Sequence, residues 1–280
     1  MRRFIYPVQG TMNNKHKLIL CAFTCFVMSF AGSARAELDT SRLSEQDIKK
    51  VESLLAKLSP LVQQRRDRSD LATMVFEELY APLTGEEKKF LKSFQKLDAE
   101  KLGVKIPYRG LATGGEKFIA IKGQKVRNNI KNAKEEYITL PVQFLTSEVY
   151  DGCNTMMAAM QKDIGRKLYV ESGYRSAAYQ LYLFIFYLKN HNYSIRETAK
   201  FVALPGYSEH GDPESQAIDF INEDGIDGQN NPMEFEALAE YNWMLQHAGE
   251  YNFVLSYPKD SKDGIAFEPW HWRYEKKSRK

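Results

Sequence analysis

The chain has 280 residues, 43% of them hydrophobic and 27% charged, and a formal charge of +3. That is too apolar for a disordered chain and ample for one large domain, or one domain with an extension. The basic excess lies in residues 1–36, which hold Arg2, Arg3, Lys15, Lys17 and Arg35 and no acid; the rest, with 34 basic and 36 acidic residues, carries −2 and offers nucleic acid no electrostatic footprint.

The first segment has the anatomy of a secretory signal peptide: basic residues, an apolar run from Leu18 to Phe30, and the small-residue pattern Ala34-Arg35-Ala36. The run is short for a membrane span, so an uncleaved anchor fits less well than cleavage after Ala36. Neither Cys21 nor Cys25 sits where a lipid-attachment cysteine would. Only Cys153 lies beyond the cleavage point, which rules out an intramolecular disulfide in the exported chain.

Residues 37–134 read as a helical N-terminal region. Ile48, Val51, Leu54, Leu55 and Leu58 line one helix face, and Ser59-Pro60 is expected to end that helix and start another. The cluster Arg65-Arg66-Asp67-Arg68 reads as a solvated helix face. Thr84 and Glu87 form a capping-box pair ahead of Phe90, Leu91 and Phe94. From Gly103 to Lys125 the chain suggests a loop with a hairpin, and no catalytic constellation shows in the whole region.

Residues 135–280 carry a different texture. Glu148 to Ile164 predicts a helix, Lys167 to Glu171 a strand, and Ala177 to Leu188, apolar nearly all round, a core helix. Ser194 and Glu197 cap another helix that stops near Leu204-Pro205-Gly206. Ala217 to Ile221 predicts a strand, Asn231-Pro232 opens a helix reaching about Ala248, and Phe253-Val254-Leu255 and Trp270 to Tyr274 supply two more strands. Short strands between helices point to an α+β fold, with a small, mostly antiparallel sheet flanked by helices and an N-terminal helical extension.

Two polar segments concentrate the chemistry. Tyr207-Ser208-Glu209-His210 runs on to Ala217-Ile218-Asp219-Phe220, and Phe267-Glu268-Pro269-Trp270-His271-Trp272-Arg273-Tyr274 lies near the end. Alternation along the second strand puts His271 and Arg273 on one face and the aromatic residues on the other. Pro269 holds Glu268 extended, which can turn its carboxylate towards His271. Asp219, on the face of Ala217 and Ile221, is a carboxylate aimed into apolar surroundings that needs a partner or a metal. Two imidazoles, one strand carboxylate and a nearby glutamate form the inventory of a hydrolytic metal site. His191 and His247 lack such a setting and read as structural.

With Ser172-Gly173-Tyr174-Arg175-Ser176 and Tyr251-Asn252-Phe253-Val254-Leu255-Ser256-Tyr257-Pro258 added, the chain from about 135 to 275 resembles the zinc D-alanyl-D-alanine carboxypeptidases, the family of the vancomycin-resistance carboxypeptidase and dipeptidase. The resemblance implies zinc held by His210, Asp219 and His271, with Glu268 as base and Arg175 facing the scissile carbonyl or terminal carboxylate. It implies that Ser208 and Gln180 line the peptide site and that peptidoglycan stem peptides are the substrate, met after export to the periplasm or outside the cell. One departure stands out. The family places its aspartate seven residues after the first histidine, with a glycine midway; here Asp219 follows His210 by nine, and Ser215 stands where the glycine would be. Asp212 or Glu214, in the enlarged loop, are the competing ligands. A cell-wall-binding module without turnover and a ferrous two-histidine, one-carboxylate oxygenase are the competing functions, although the oxygenase has no need of Glu268.

Overall fold

Three N-terminal helices pack their apolar faces onto a helix from the second half of the chain, and that shared core sets where the candidate site lies. The computed structural model describes residues 38–276, except 114, 116, 130–135, 213 and 214; the expected signal peptide and Glu214 lie outside the described residues. Helix α1 (Glu45–Asp67) starts at Ser44, whose side chain accepts a hydrogen bond from the Asp47 N–H. It runs straight through Pro60, where the sequence suggested a break. Pro60 sits on the exposed face while Leu54, Leu58 and Val62 remain in one buried row, so the lost hydrogen bond falls on the solvated side and packing holds the helix together. Helices α2 (Phe76–Tyr80) and α3 (Gly85–Gln95) follow, α3 opening on the expected box: the Glu87 N–H donates to Thr84 Oγ1 (3.3 Å) and the Thr84 N–H to Glu87 Oε2 (2.9 Å).

The expected hairpin between Gly103 and Lys125 does not form. Strand β1 (Ile119–Ile121) instead pairs with the more distant β4 (Gln143–Leu145), and β2 (Lys125–Arg127) pairs with β3 (Tyr137–Thr139), both antiparallel. The register that won lets Leu145 bury completely beside α4 (Ser147–Ile164).

The main sheet has the order β5-β6-β8-β7, antiparallel throughout, with β5 at Leu168–Ser172, β6 at Ala217–Asn222, β7 at Phe253–Leu255 and β8 at His271–Tyr274. Between these strands come α5 (Ala177–Tyr187), the short α6 (Ile195–Thr198), α7 (Pro232–Glu236) and α8 (Ala239–His247). Helix α6 ends well before Leu204. The helix expected from Asn231 to Ala248 is two, because Leu238 turns extended and serves as the N-cap of α8. The fold is α+β.

Alternation divides the sheet. Leu168, Val170, Ile218, Phe220, Trp272 and Tyr274 face α4 and α8 and build one core, while Asp219, His271 and Arg273 occupy the other face. A second core joins α1, α2 and α3 to α5 through Leu54, Leu58, Phe94, Leu181 and Phe184. The N-terminal helices therefore cover the apolar surface of α5 rather than standing apart. No helix among the described residues is long and apolar enough to cross a membrane. Phe184→Ala should remove about 3–5 kcal/mol of stability in equilibrium urea unfolding, since the ring is fully buried against Phe94; a loss below about 1 kcal/mol would show that α5 is not held by the N-terminal helices.

Candidate metal centre

Strand pairing does most of the assembly. In the β6–β8 register Asp219 stands directly opposite His271, which brings two donors together from positions 52 residues apart. His210 arrives from a tight 3-10 turn at Glu209–Gly211, which is bound to the loop after β5: the Arg175 N–H donates to the His210 carbonyl (3.1 Å), and His210 Nδ1 lies 2.8 Å from the Gly173 carbonyl. Gly173 is required by closeness, because a Cβ there would meet the Phe144 carbonyl oxygen at 2.6 Å.

The ring nitrogens sort themselves by partner. A carbonyl can only accept, so His210 donates from Nδ1 and turns Nε2 inward, 3.1 Å from Asp219 Oδ2. His271 lies with Nε2 3.0 Å from Glu209 Oε2 and Nδ1 2.8 Å from Asp219 Oδ1. His210, Asp219 and His271 thus offer one atom each within 4.8 Å of one another. Burial favours the neutral form of His210. Burial would also lower His271, but its hydrogen bonds to Asp219 and Glu209 hold it at about 10. Asp219 is buried, yet His210 and His271 pull its carboxyl well below the usual range. Two imidazoles and an ionised carboxylate in this compact set fit a divalent ion such as zinc.

Glu268 lies beside the cluster, its Oε2 3.8 Å from His271 Nδ1, and burial lifts its carboxyl to about 8. Arg175 approaches from the opposite side, 3.8 Å from Asp219 Oδ2, and donates to Gln180 Oε1 (3.0 Å) and Ser172 Oγ (2.9 Å). The bulge between Val170 and Ser172 places Ser172 opposite Asp219 and so beneath Arg175. Gln180 lines the cavity with both ends of its amide engaged, since Nε2 donates to the Ala203 carbonyl (2.7 Å), and Ser208 lines it one residue ahead of the His210 turn. The cavity has a volume of about 550 Å³ and is lined by all seven residues that the family resemblance assigns to the site. Asp212 is not in the cluster: its Oδ2 pairs with Arg109 (3.0 Å) and its Oδ1 accepts from the Ser215 N–H (3.1 Å).

Sequence reading missed the support beneath the ligands. Glu209 bonds His271, accepts from Ser256 Oγ (2.6 Å), and pairs with Arg109 (2.7 Å) and Arg273 (3.0 Å). Burial opposes its charge, but His271, Ser256 and Arg109 hold its carboxyl at about 2. Its place beside His210 was the available signal. Arg109 gave none, for it lies 100 residues away in a region with no motif. Glu209→Gln should weaken zinc binding by about 10–100-fold in a chelator competition, the usual cost of losing a carboxylate behind a ligating histidine. Asp212→Ala should keep one zinc per chain, and loss of the metal from that variant would point to the other ligand set.

Residues 142–277 match the model of the VanY family, described as D-alanyl-D-alanine carboxypeptidase. YodJ of Bacillus subtilis (strain 168) is 32% identical over 141 residues, 47% of this chain and 46% of that protein. The bifunctional D-Ala-D-Ala dipeptidase and D-Ala-D-Ala carboxypeptidase VanXYC of Enterococcus gallinarum is 35% identical over 117 residues, 41% of this chain and 57% of its own. Among solved structures, the LdcB LD-carboxypeptidase aligns with a TM-score of 0.43 at 24% identity, covering 63% of this chain and 77% of that one. The chain spans about half the length of these two curated relatives. Residues 142–277, which supply the whole His210, Asp219 and His271 cluster, are thus the part of the chain that is similar to the VanY family of D-alanyl-D-alanine carboxypeptidases.

Proposed function

We propose that this chain is an exported zinc carboxypeptidase that removes terminal D-alanine from the stem peptides of peptidoglycan. The observation that carries the reading is the buried Asp219 between His210 and His271, with Glu268 and Arg175 on either side in one cavity. The match of residues 142–277 to the VanY family model supports it, as does a relative named for D-Ala-D-Ala dipeptidase and carboxypeptidase activity. Export rests on the basic, apolar and Ala34-Arg35-Ala36 pattern of the first 36 residues.

His210 Nε2, Asp219 and His271 Nδ1 would hold the ion. Zinc bound there supplies a Lewis acid and lowers the pKa of a bound water to about 7. Glu268 is placed to accept a proton from the attacking water and return it to the departing amine as the C–N bond breaks. Arg175, locked by Gln180 and Ser172, can donate to the carbonyl oxygen as it gains charge, a contribution of roughly a hundredfold in rate. Glu209 bonds His271 Nε2 and so keeps Nδ1 turned towards Asp219, free to ligate an ion bound there.

Incubating the protein and zinc with muropeptides of defined sequence should release a single alanine, seen as one mass loss by mass spectrometry. A panel ending in D-Ala-D-Ala or in a single D-alanine reads the bond chosen, and no cleavage of any member with zinc bound would sink the proposal. Glu268→Gln should keep its zinc and lose at least about a hundredfold in kcat; a binding module without turnover would be unaffected. His271→Ala should lose the metal, and full zinc occupancy in that variant would overturn the ligand set.

A further inference from the structure

The cavity does not end at the cluster. It continues to Arg66, Ser69, Leu71 and Ala72, which come from the end of α1 and the turn after it, outside the 142–277 segment. This wall is bound to the catalytic loop: the Ser176 N–H donates to the Ala72 carbonyl (2.8 Å) and Ser176 Oγ to the Met74 carbonyl (2.6 Å), one residue after Arg175.

The three arginines at the end of α1 have different fates. Arg65 is turned inward and paired with Asp70 (3.1 Å) and Glu78 (3.5 Å), and Arg68 also pairs with Asp70 (3.3 Å). Arg66 hydrogen-bonds the neutral amide of Gln63 (3.3 Å), and among the described residues no carboxylate pairs with it. Arg66 is exposed, as expected of a solvated helix face, and it also borders the cavity, to which it brings a cation; Arg65 alone of the cluster is buried. Next to it Ser69 adopts φ 60°, a left-handed position at a helix end where glycine is the usual and less strained choice. Serine there keeps a hydroxyl on the cavity wall. Tyr179, on α5, stands between the two arginines: burial raises its phenol, while Arg175 and Arg66 both pull it down.

A guanidinium and two hydroxyls on this stretch of the wall suit a ligand that accepts hydrogen bonds and carries negative charge. In a peptide that group is a carboxylate. We infer that Arg66, Ser69 and Tyr179 form a remote subsite, built by the N-terminal helical region, that selects substrates carrying a second carboxylate on the acyl side of the cleaved bond. The inference rests on the peptidase reading for its substrate, and its logic is that of a specificity-determining contact: Arg66 touches the peptide away from the reacting atoms and acts on binding.

The test uses synthetic peptides with one D-alanyl terminus and a side-chain carboxylate or carboxamide at the first, second or third residue before the cleaved bond. The wild type should prefer the acid over the amide at one of these positions by about tenfold in kcat/KM, the worth of one charge-assisted hydrogen bond, with the difference in KM. Arg66→Gln should bring that ratio close to one, and Arg66→Lys should restore part of it, which a role limited to capping α1 would not do. Equal treatment of acid and amide at all three positions by the wild type, or a preference that survives Arg66→Gln, would overturn the subsite. If the wild type cleaves no peptide, the peptidase reading fails first. Calorimetric binding of the same peptides to the wild type and to Arg66→Gln then decides the subsite alone: tighter binding of an acid that depends on Arg66 supports it, and its absence refutes it.

Discussion

The structure hangs on one largely enclosed carboxylate. Asp219 lies in the middle of a sheet strand, and an ionised acid in that position is costly unless every oxygen has a partner. His210 takes one oxygen, His271 takes the other, and Arg175 stands close by. Removing one partner from such a buried arrangement typically costs about 3–5 kcal/mol, so the loop after β5, the 3-10 turn and strand β8 are held to one geometry by the same group.

From there order spreads outward in shells. His210 is oriented by the Gly173 carbonyl and His271 by Glu209, which is in turn held by Ser256, Arg109 and Arg273. Arg109 matters because it comes from the N-terminal region and also pins Asp212 in the enlarged loop between histidine and aspartate. Asp212 is thereby anchored beside the cluster without entering it. The N-terminal region serves the site twice, its helices by burying α5 and bringing the wall near Arg66 to the cavity, and its later loop by bringing Arg109 to Glu209.

Much of this was legible in the sequence where local periodicity governs. Alternation placed His271 and Arg273 on one face and Trp272 and Tyr274 on the other, and it put Asp219 opposite the Ile218 and Phe220 side of its strand, as the two faces of the sheet now show. The Thr84 and Glu87 cap was readable because its partners are three residues apart. Local rules failed where packing overrode them. Pro60 did not stop α1, since its row of buried leucines continues on the far side, and β1 took a partner more than twenty residues away because that register buries Leu145.

The amino-acid sequence by itself determined the donor types, the strand faces that present them and the acid placed three residues before His271, because side-chain chemistry and a two-residue period are local properties. Only the tertiary structure decided that Asp219 rather than Asp212 meets the imidazoles, that Glu209 and Arg109 stand behind His271, and that Arg66 reaches the cavity while Arg65 does not. Those outcomes depend on strand register and on helices packed across 100 residues of chain, and no periodicity within a segment records which distant surface will cover it.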